Sequence, residues 1–349
     1  MRSSINISTA EKMGLISNLA TMLAAGIPIL ETVDSLIEDS KGNQKKLLET
    51  LREDLMQGQH ISTSFERFPN IFDKININLL KAAEEGGTLD VTLKDLTDTI
   101  RRDTEFKDKI KGALVYPLII MIVFVGVLLM ILVVVVPKIS TVFERLDVEL
   151  PLPTQILIFL SNLLIHSTIF VFIGAVVFGG LVVLIFRTQK RLILRSLFTI
   201  PLVSDLVKQI DLTRFTRSMY LLLNAGIPIT GSLELAQDVV LRSDISKAIT
   251  TCKEMVITGK KFSEGLKESR GVFPSIMLRM AEAGEKSGSL EKSMQDASNY
   301  LDYQVSNTLK VLTTLMEPLM LVIVGVLVGG MMLAIISPIY GLISQVGIH

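Results

Sequence analysis

Tryptophan is absent, cysteine occurs once and histidine three times in 349 residues. A single cysteine, Cys252, can close no internal disulfide and build no cysteine metal cluster. His60, His166 and His349 lie far apart, without the i, i+4 spacing of a zinc-binding helix. Charge of one sign is missing too: 35 basic and 35 acidic side chains balance to a formal net charge of zero. No global basic field is left for nucleic acid, which is excluded as an expected partner. Thr258-Gly259-Lys260-Lys261 superficially fits a phosphate loop, but Glu254 stands where the first glycine is required. Lys261 stands where the loop needs Ser or Thr, so no nucleotide site and no cofactor is expected.

Hydrophobic residues, by contrast, make up 49% of the chain against 20% charged, and the mean hydropathy is +0.50. They are bunched. Gly112 to Pro137, Leu150 to Phe186 and Pro318 to His349 hold no Lys, Arg, Asp or Glu. Each run exceeds the roughly 20 residues that a helix needs to cross about 30 Å of hydrocarbon. The expected spans are 115–136, ended by Pro137, then 165–186 and 318–340. A polar break at Ser161-Asn162 and His166-Ser167-Thr168 blurs the start of the second. Arg101, Arg102, Lys107, Lys109 and Lys111 precede the first span, and Arg187, Lys190, Arg191 and Arg195 follow the second. Basic flanks stay cytoplasmic, so the N-terminus faces the cytoplasm while loop 137–160 and the C-terminus face outward. Met1 to Glu11 is polar and the first apolar stretch amphipathic, so no signal peptide is expected.

The two cytoplasmic segments repeat each other. Ala25-Gly26-Ile27-Pro28-Ile29 recurs as Ala225-Gly226-Ile227-Pro228-Ile229, and Phe68-Pro69 as Phe273-Pro274. Ala83-Glu84-Glu85-Gly86-Gly87-Thr88-Leu89 recurs as Gly284-Glu285-Lys286-Ser287-Gly288-Ser289-Leu290, and Lys109 and Pro117 align with Lys310 and Pro318. The repeated domains are 8–113 and 205–314, each followed by a span. Leu15, Leu19, Met22 and Leu23 form the stripe of a helix with one buried face, as do Phe215, Met219, Leu222 and Leu223. Breaks at Gly26-Pro28, Lys41-Gly42-Asn43, Gly58, Phe68-Pro69 and Gly86-Gly87 divide the first unit into about six helices. The last of them meets no breaker before the membrane proline. The expected fold is all-α: a polytopic membrane protein with three spans and two repeated cytoplasmic bundles.

The Glu-x-x-Gly-x-Leu turn is the most distinctive motif, and an acid lies six residues after its glutamate in both copies. Glu84 is followed by Asp90, and Glu285 by Glu291. One reading is structural: Thr88 and Ser289 are natural N-caps, with the second acids in the first turn of the next helix. The other is functional, with Glu84, Gly87, Asp90, Glu285, Gly288 and Glu291 forming a partner-facing patch. Glu84 and Asp90 are in addition a weak alternative as a divalent-ion site, which would need about six oxygens. At the membrane, Pro117 and Pro318 mark the entries. Glu317 is an ionisable group at a span edge, and Gly325 and Gly329 have the spacing of close helix packing. His166 reads as an interfacial residue or a proton relay.

These motifs resemble those of the type II secretion system F proteins, which are also the inner-membrane platforms of type IV pilus machines. The resemblance covers about residues 8–345, and the second copy is the closer match; the first departs in having Ala83 before Glu84. It implies six-helix bundle domains, no nucleotide of its own and no enzymatic activity. It further implies coupling of a cytosolic hexameric secretion ATPase to pilins or pseudopilins, contacts with other inner-membrane assembly proteins, and homo-oligomers. Some members hold a metal between protomers at the positions of Glu84 and Asp90. Pilus, secretion and DNA-uptake machines share these features. Two readings of other classes compete: a small transporter or channel built on a duplicated unit, and a membrane-anchored signalling adaptor. Transporters usually place helix breaks and ionisable groups at mid-membrane, whereas here both sit in the cytoplasmic segments.

Overall fold

A computed structural model describes residues 5–146, 152–166, 201–269 and 271–346. Among them no strand forms. The chain divides into two compact units, Met1–Lys109 with Asp205–Asn307, and Ile110–Ser204 with Thr308–His349.

The first unit opens with α1 (Thr9–Ala24), whose start is fixed by a capping box. Ser8 Oγ accepts from the Glu11 N–H at 3.2 Å, and Glu11 Oε2 accepts from the Ser8 N–H at 2.6 Å. Then come α2 (Ile29–Asp39), α3 (Gly42–Met56), α4 (Ile61–Glu66) and α5 (Lys74–Gly86), and α6 (Leu89–Met130) begins. Leu15, Ile16 and Leu19 lie on one side of α1 and are fully buried with Val33, Leu47 and Leu51. Phe65 and Phe72 stack at 4.0 Å between centroids. The two rings are parallel to within 3° and both fully buried, so their main contribution is the apolar area they remove from water.

The later segment of this unit repeats the order. It holds α9 (Pro201–Asn224), α10 (Ile229–Gln237), α11 (Ser243–Ile257), α12 (Phe262–Glu268) and α13 (Ser275–Ser287), and α14 (Leu290–Val346) begins. Its core gathers Phe215, Met219, Leu222, Leu233, Ile249 and Phe262. Ile75 and Leu79 of α5 are buried in this second core rather than in their own. The two helical sets therefore share an interface. Lys74 pairs with Asp238 at 2.6 Å, and Asn224 donates to Asp95 at 3.2 Å.

In the second unit, α6 runs on through Pro117, and α14 through Pro318. Leu89–Thr141 and Leu290–Leu333 are the two described helical stretches long and apolar enough to cross a membrane. Their apolar side chains are bare: Ile122 is 62% exposed and Leu321 68%. Such surface calls for lipid or protein rather than water.

The helix does not stop at Pro137, the expected end of the first span. The helix passes into a π segment, Ile131–Val135, and continues as α7 (Val136–Leu146). In π register the Val136 N–H bonds to the Ile131 carbonyl. The Leu132 carbonyl would next look to residue 137, a proline without an N–H. Ser161 Oγ supplies the missing donor at 2.6 Å. Ser161 was expected to mark a break, yet it sits inside α8 (Leu152–His166) because its hydroxyl has this carbonyl to bond. Much of the expected 137–160 loop is thus helical. The expected span 165–186 lies outside the described residues, apart from its first two.

Candidate partner-binding turns

The chain leaves α5 and α13 by the same turn. Gly87 has φ +67° and Gly288 φ +70°, the left-handed region that a side chain resists. That conformation turns the next N–H back into the helix. Thr88 donates to the Ala83 carbonyl at 2.9 Å, and Ser289 to the Gly284 carbonyl at 3.0 Å. The new helix starts at once, at Leu89 or Leu290.

The glutamate of each turn points the other way. Glu84 Oε1 accepts from the Ile61 N–H at 2.5 Å, and Oε2 from the Ser62 N–H at 3.1 Å and the Ser62 hydroxyl at 2.5 Å. Glu285 Oε1 accepts from the Phe262 N–H at 2.5 Å and Oε2 from the Ser263 N–H at 3.1 Å. Each carboxylate therefore satisfies the free N–H groups that open α4 or α12 and staples that short helix to α5 or α13. His60 Nδ1 lies 3.6 Å from Glu84. A shallow cavity of about 330 Å³ beside Glu84 is lined by His60, Glu66, Lys81 and Glu85, among others.

The second acids stay apart from this network. Asp90 and Glu291 lie half-exposed in the first turns of α6 and α14, with no side-chain hydrogen bond among the described residues. No group of three or more His, Cys, Asp or Glu among the described residues is placed to hold a metal. Both Glu84 oxygens are already engaged by three donors. The copies also differ at the residue before the glutamate. A Cβ on Gly284 would come within 2.4 Å of Ser293 Oγ and 3.0 Å of Leu290 Cα, so only glycine lets α13 and α14 approach this closely. The first copy carries Ala83 there.

Comparison with known proteins shows the same duplication of signal. The family described as type II secretion system (T2SS), protein F, matches residues 15–137 and again 215–338. This chain belongs to that family. It is 30% identical to the type IV pilus assembly protein PilC of Pseudomonas aeruginosa over 94% of this chain and 89% of that one. It is 28% identical to the PilC of Thermus thermophilus, over 95% and 82%. It is 27% identical to the type II secretion system protein F of Aeromonas hydrophila, over 98% and 88%.

The membrane-side candidates lie on α6 and α14. Pro117 and Pro318 are taken into continuous helices, and Glu317 is exposed on α14. Space around Gly325 and Gly329 is open among the described residues. Two charged positions had drawn no attention as sequence. Arg217, 8% exposed, donates to Asp103 at 2.5 Å and to Asp302 at 2.9 Å, tying α9 to α6 and α14. Asp211 is fully buried and accepts from the Leu241 and Arg242 N–H groups at 2.8 and 2.7 Å. Burial pushes its carboxyl above the usual range. For Asp211 the available signal was an acid one turn before Phe215 on the buried side of α9.

Proposed function

We propose that this chain is a non-enzymatic platform in the inner (cytoplasmic) membrane of a type II secretion or type IV pilus machine. It couples a cytosolic secretion ATPase to the polymerisation of pilins or pseudopilins, in company with other inner-membrane assembly proteins and further copies of itself. The observation that carries the reading is the double family match, each half running from a charged helical segment into an apolar helix. In this reading 8–113 and 205–314 are repeated cytoplasmic bundles, and three spans put the N-terminus inside and the C-terminus outside. The left-handed glycines and the two stapled glutamates hold the turns in shape. Asp90 and Glu291, half-exposed and unbonded, are the acids left to meet a partner.

The test has two arms. Cells lacking the gene should lose fibres or secretion and regain them with the full chain, while the purified chain hydrolyses no ATP. A reporter active only outside the cytoplasm should give signal after Val148 and none after Arg195 or Lys253. Unimpaired output without the gene refutes the platform role, and outside signal at Lys253 refutes the orientation.

A further inference from the structure

The two helical sets of the first unit meet through unlike faces. The α5–α6 face of the first set contacts α9 of the second: Ile75 and Leu79 are buried in the second core, and Asp95 bonds Asn224 at 3.2 Å. Such a head-to-tail contact uses one face of each copy and leaves the equivalent of the other unused. The pair left largely open is the α13–α14 face of the second set, which α6 touches through Arg102 and Asn299 at 3.2 Å, and α1 of the first. The aligned positions keep the character of an interface. Ile75 and Leu79 correspond to Ile276 and Met280, half-buried apolar residues on α13. Thr99 and Arg102 of α6 correspond to Tyr300 and Tyr303 of α14, which are 37% and 68% exposed.

Size is exchanged across the pair. Within the chain, small Thr99 and large Tyr220 share a cavity of about 100 Å³. Their equivalents are large Tyr300 and small Ala20, and beside Ala20 the exposed Thr21 and Ala24 leave room for an aromatic ring. Charge raises no obstacle. The Lys74–Asp238 pair is replaced by Ser275 and Glu38, and Asp95–Asn224 by Asp296 and Ala24, so no like charges are brought together.

We propose that the α13–α14 face carrying Ile276, Met280, Tyr300 and Tyr303 docks on α1 of a second copy of this chain, repeating between chains the contact made within one. The inference rests on the duplicated-platform reading and names its self-association surface. Because the contact is heterologous, it builds a ring or an open row rather than a closed dimer.

Cysteine cross-linking of the full chain in native membranes tests it. The natural Cys252 is fully buried, and its thiol is pushed up to about 12 by burial, so it stays silent. Asp95→Cys with Asn224→Cys should be joined within one chain by a short bis-thiol linker, holding the two halves together after cleavage between them. Ala24→Cys with Asp296→Cys should give a ladder of dimers, trimers and higher species. Neither single variant should give this ladder, nor should the wrong-face pair Glu49→Cys with Asp296→Cys. Adding Tyr300→Arg and Tyr303→Arg should abolish the ladder and leave the intrachain product unchanged. Failure of the intrachain link refutes the packing of the two helical sets from which the docking surface is drawn, and leaves the platform reading, which stands on the double family match, untouched. An intrachain link with monomer only, a product stopping at dimer, or equal product from the wrong-face pair refutes the docking surface alone.

Discussion

Removing the Glu285 carboxylate should loosen α12 before anything else. Its two oxygens accept from the Phe262 and Ser263 N–H groups at 2.5 and 3.1 Å, and Phe262 is 1% exposed. In Glu285→Ala both donors lose their acceptor. An unsatisfied donor that water cannot readily reach costs about 1–3 kcal/mol, and a lost cap typically about 1. One side of α12 still meets solvent, so about 2–4 kcal/mol is expected in all. With α12 only seven residues long, hydrogen bonding rather than a macrodipole carries most of this. For a unit of this size the loss lowers Tm by roughly 5–15 °C. Glu285→Gln keeps one acceptor and should fall about midway. The assay is thermal unfolding of the full chain in detergent, with amide exchange at Phe262 and Ser263 as the local readout. A Tm within 2 °C of the parent, together with unchanged exchange at those two amides, would refute the staple. The same substitution at Glu84 should cost at least as much, since the Ser62 hydroxyl is a third donor.

This staple also marks the limit of what the sequence disclosed. Family, helical class and the positions of the glycine turns follow from the patterns: Gly87 and Gly288 stand where helical periodicity stops, and both take positive φ. The partner of Glu84 could not be read the same way. Ile61 lies 23 residues upstream, and nothing local in its neighbourhood announces that its N–H needs a carboxylate. Motif recurrence left helix capping and a partner-facing patch both open, and neither reading contained the internal bond that the two glutamates make. Pro137 shows the opposite failure. Its local meaning is plain, but Ser161, distant in sequence, supplies the donor that the π turn leaves wanting. Arg217 was hidden by the repeat itself, because its aligned residue is Ser17 and no shared motif covers it.

Three further perturbations separate these contributions. Arg217→Lys puts one nitrogen in place of the two that reach Asp103 and Asp302 separately and should cost about 1.5–3 kcal/mol in denaturant unfolding; a neutral result would refute the bridge. Asp95→Asn should raise Tm at pH 7, since burial first and Asp98 second hold the Asp95 carboxyl above its usual range, against smaller opposing effects of Lys94 and then Asn224. An acid with a raised folded value loses stability as pH climbs from the unfolded value near 4 through the folded one; the advantage of Asn should therefore vanish below about pH 4, and a pH-independent gain would refute the assignment. Ser161→Ala tests the hairpin of α7 and α8, where the Leu132 carbonyl depends on one hydroxyl. Deleting it leaves an orphan acceptor at 5% residue exposure, and interhelical bonds in bilayers average about 0.6 kcal/mol with a ceiling near 1.7. The proline argument predicts a value toward the ceiling, because no backbone N–H can take over. Ser161→Thr keeps the hydroxyl and should restore the parent's thermal unfolding. Pro137→Ala returns an N–H to the acceptor and should make Ser161→Ala nearly harmless. A cost for Ser161→Ala that is the same with Pro137 and with Ala at 137 would refute the coupling between them.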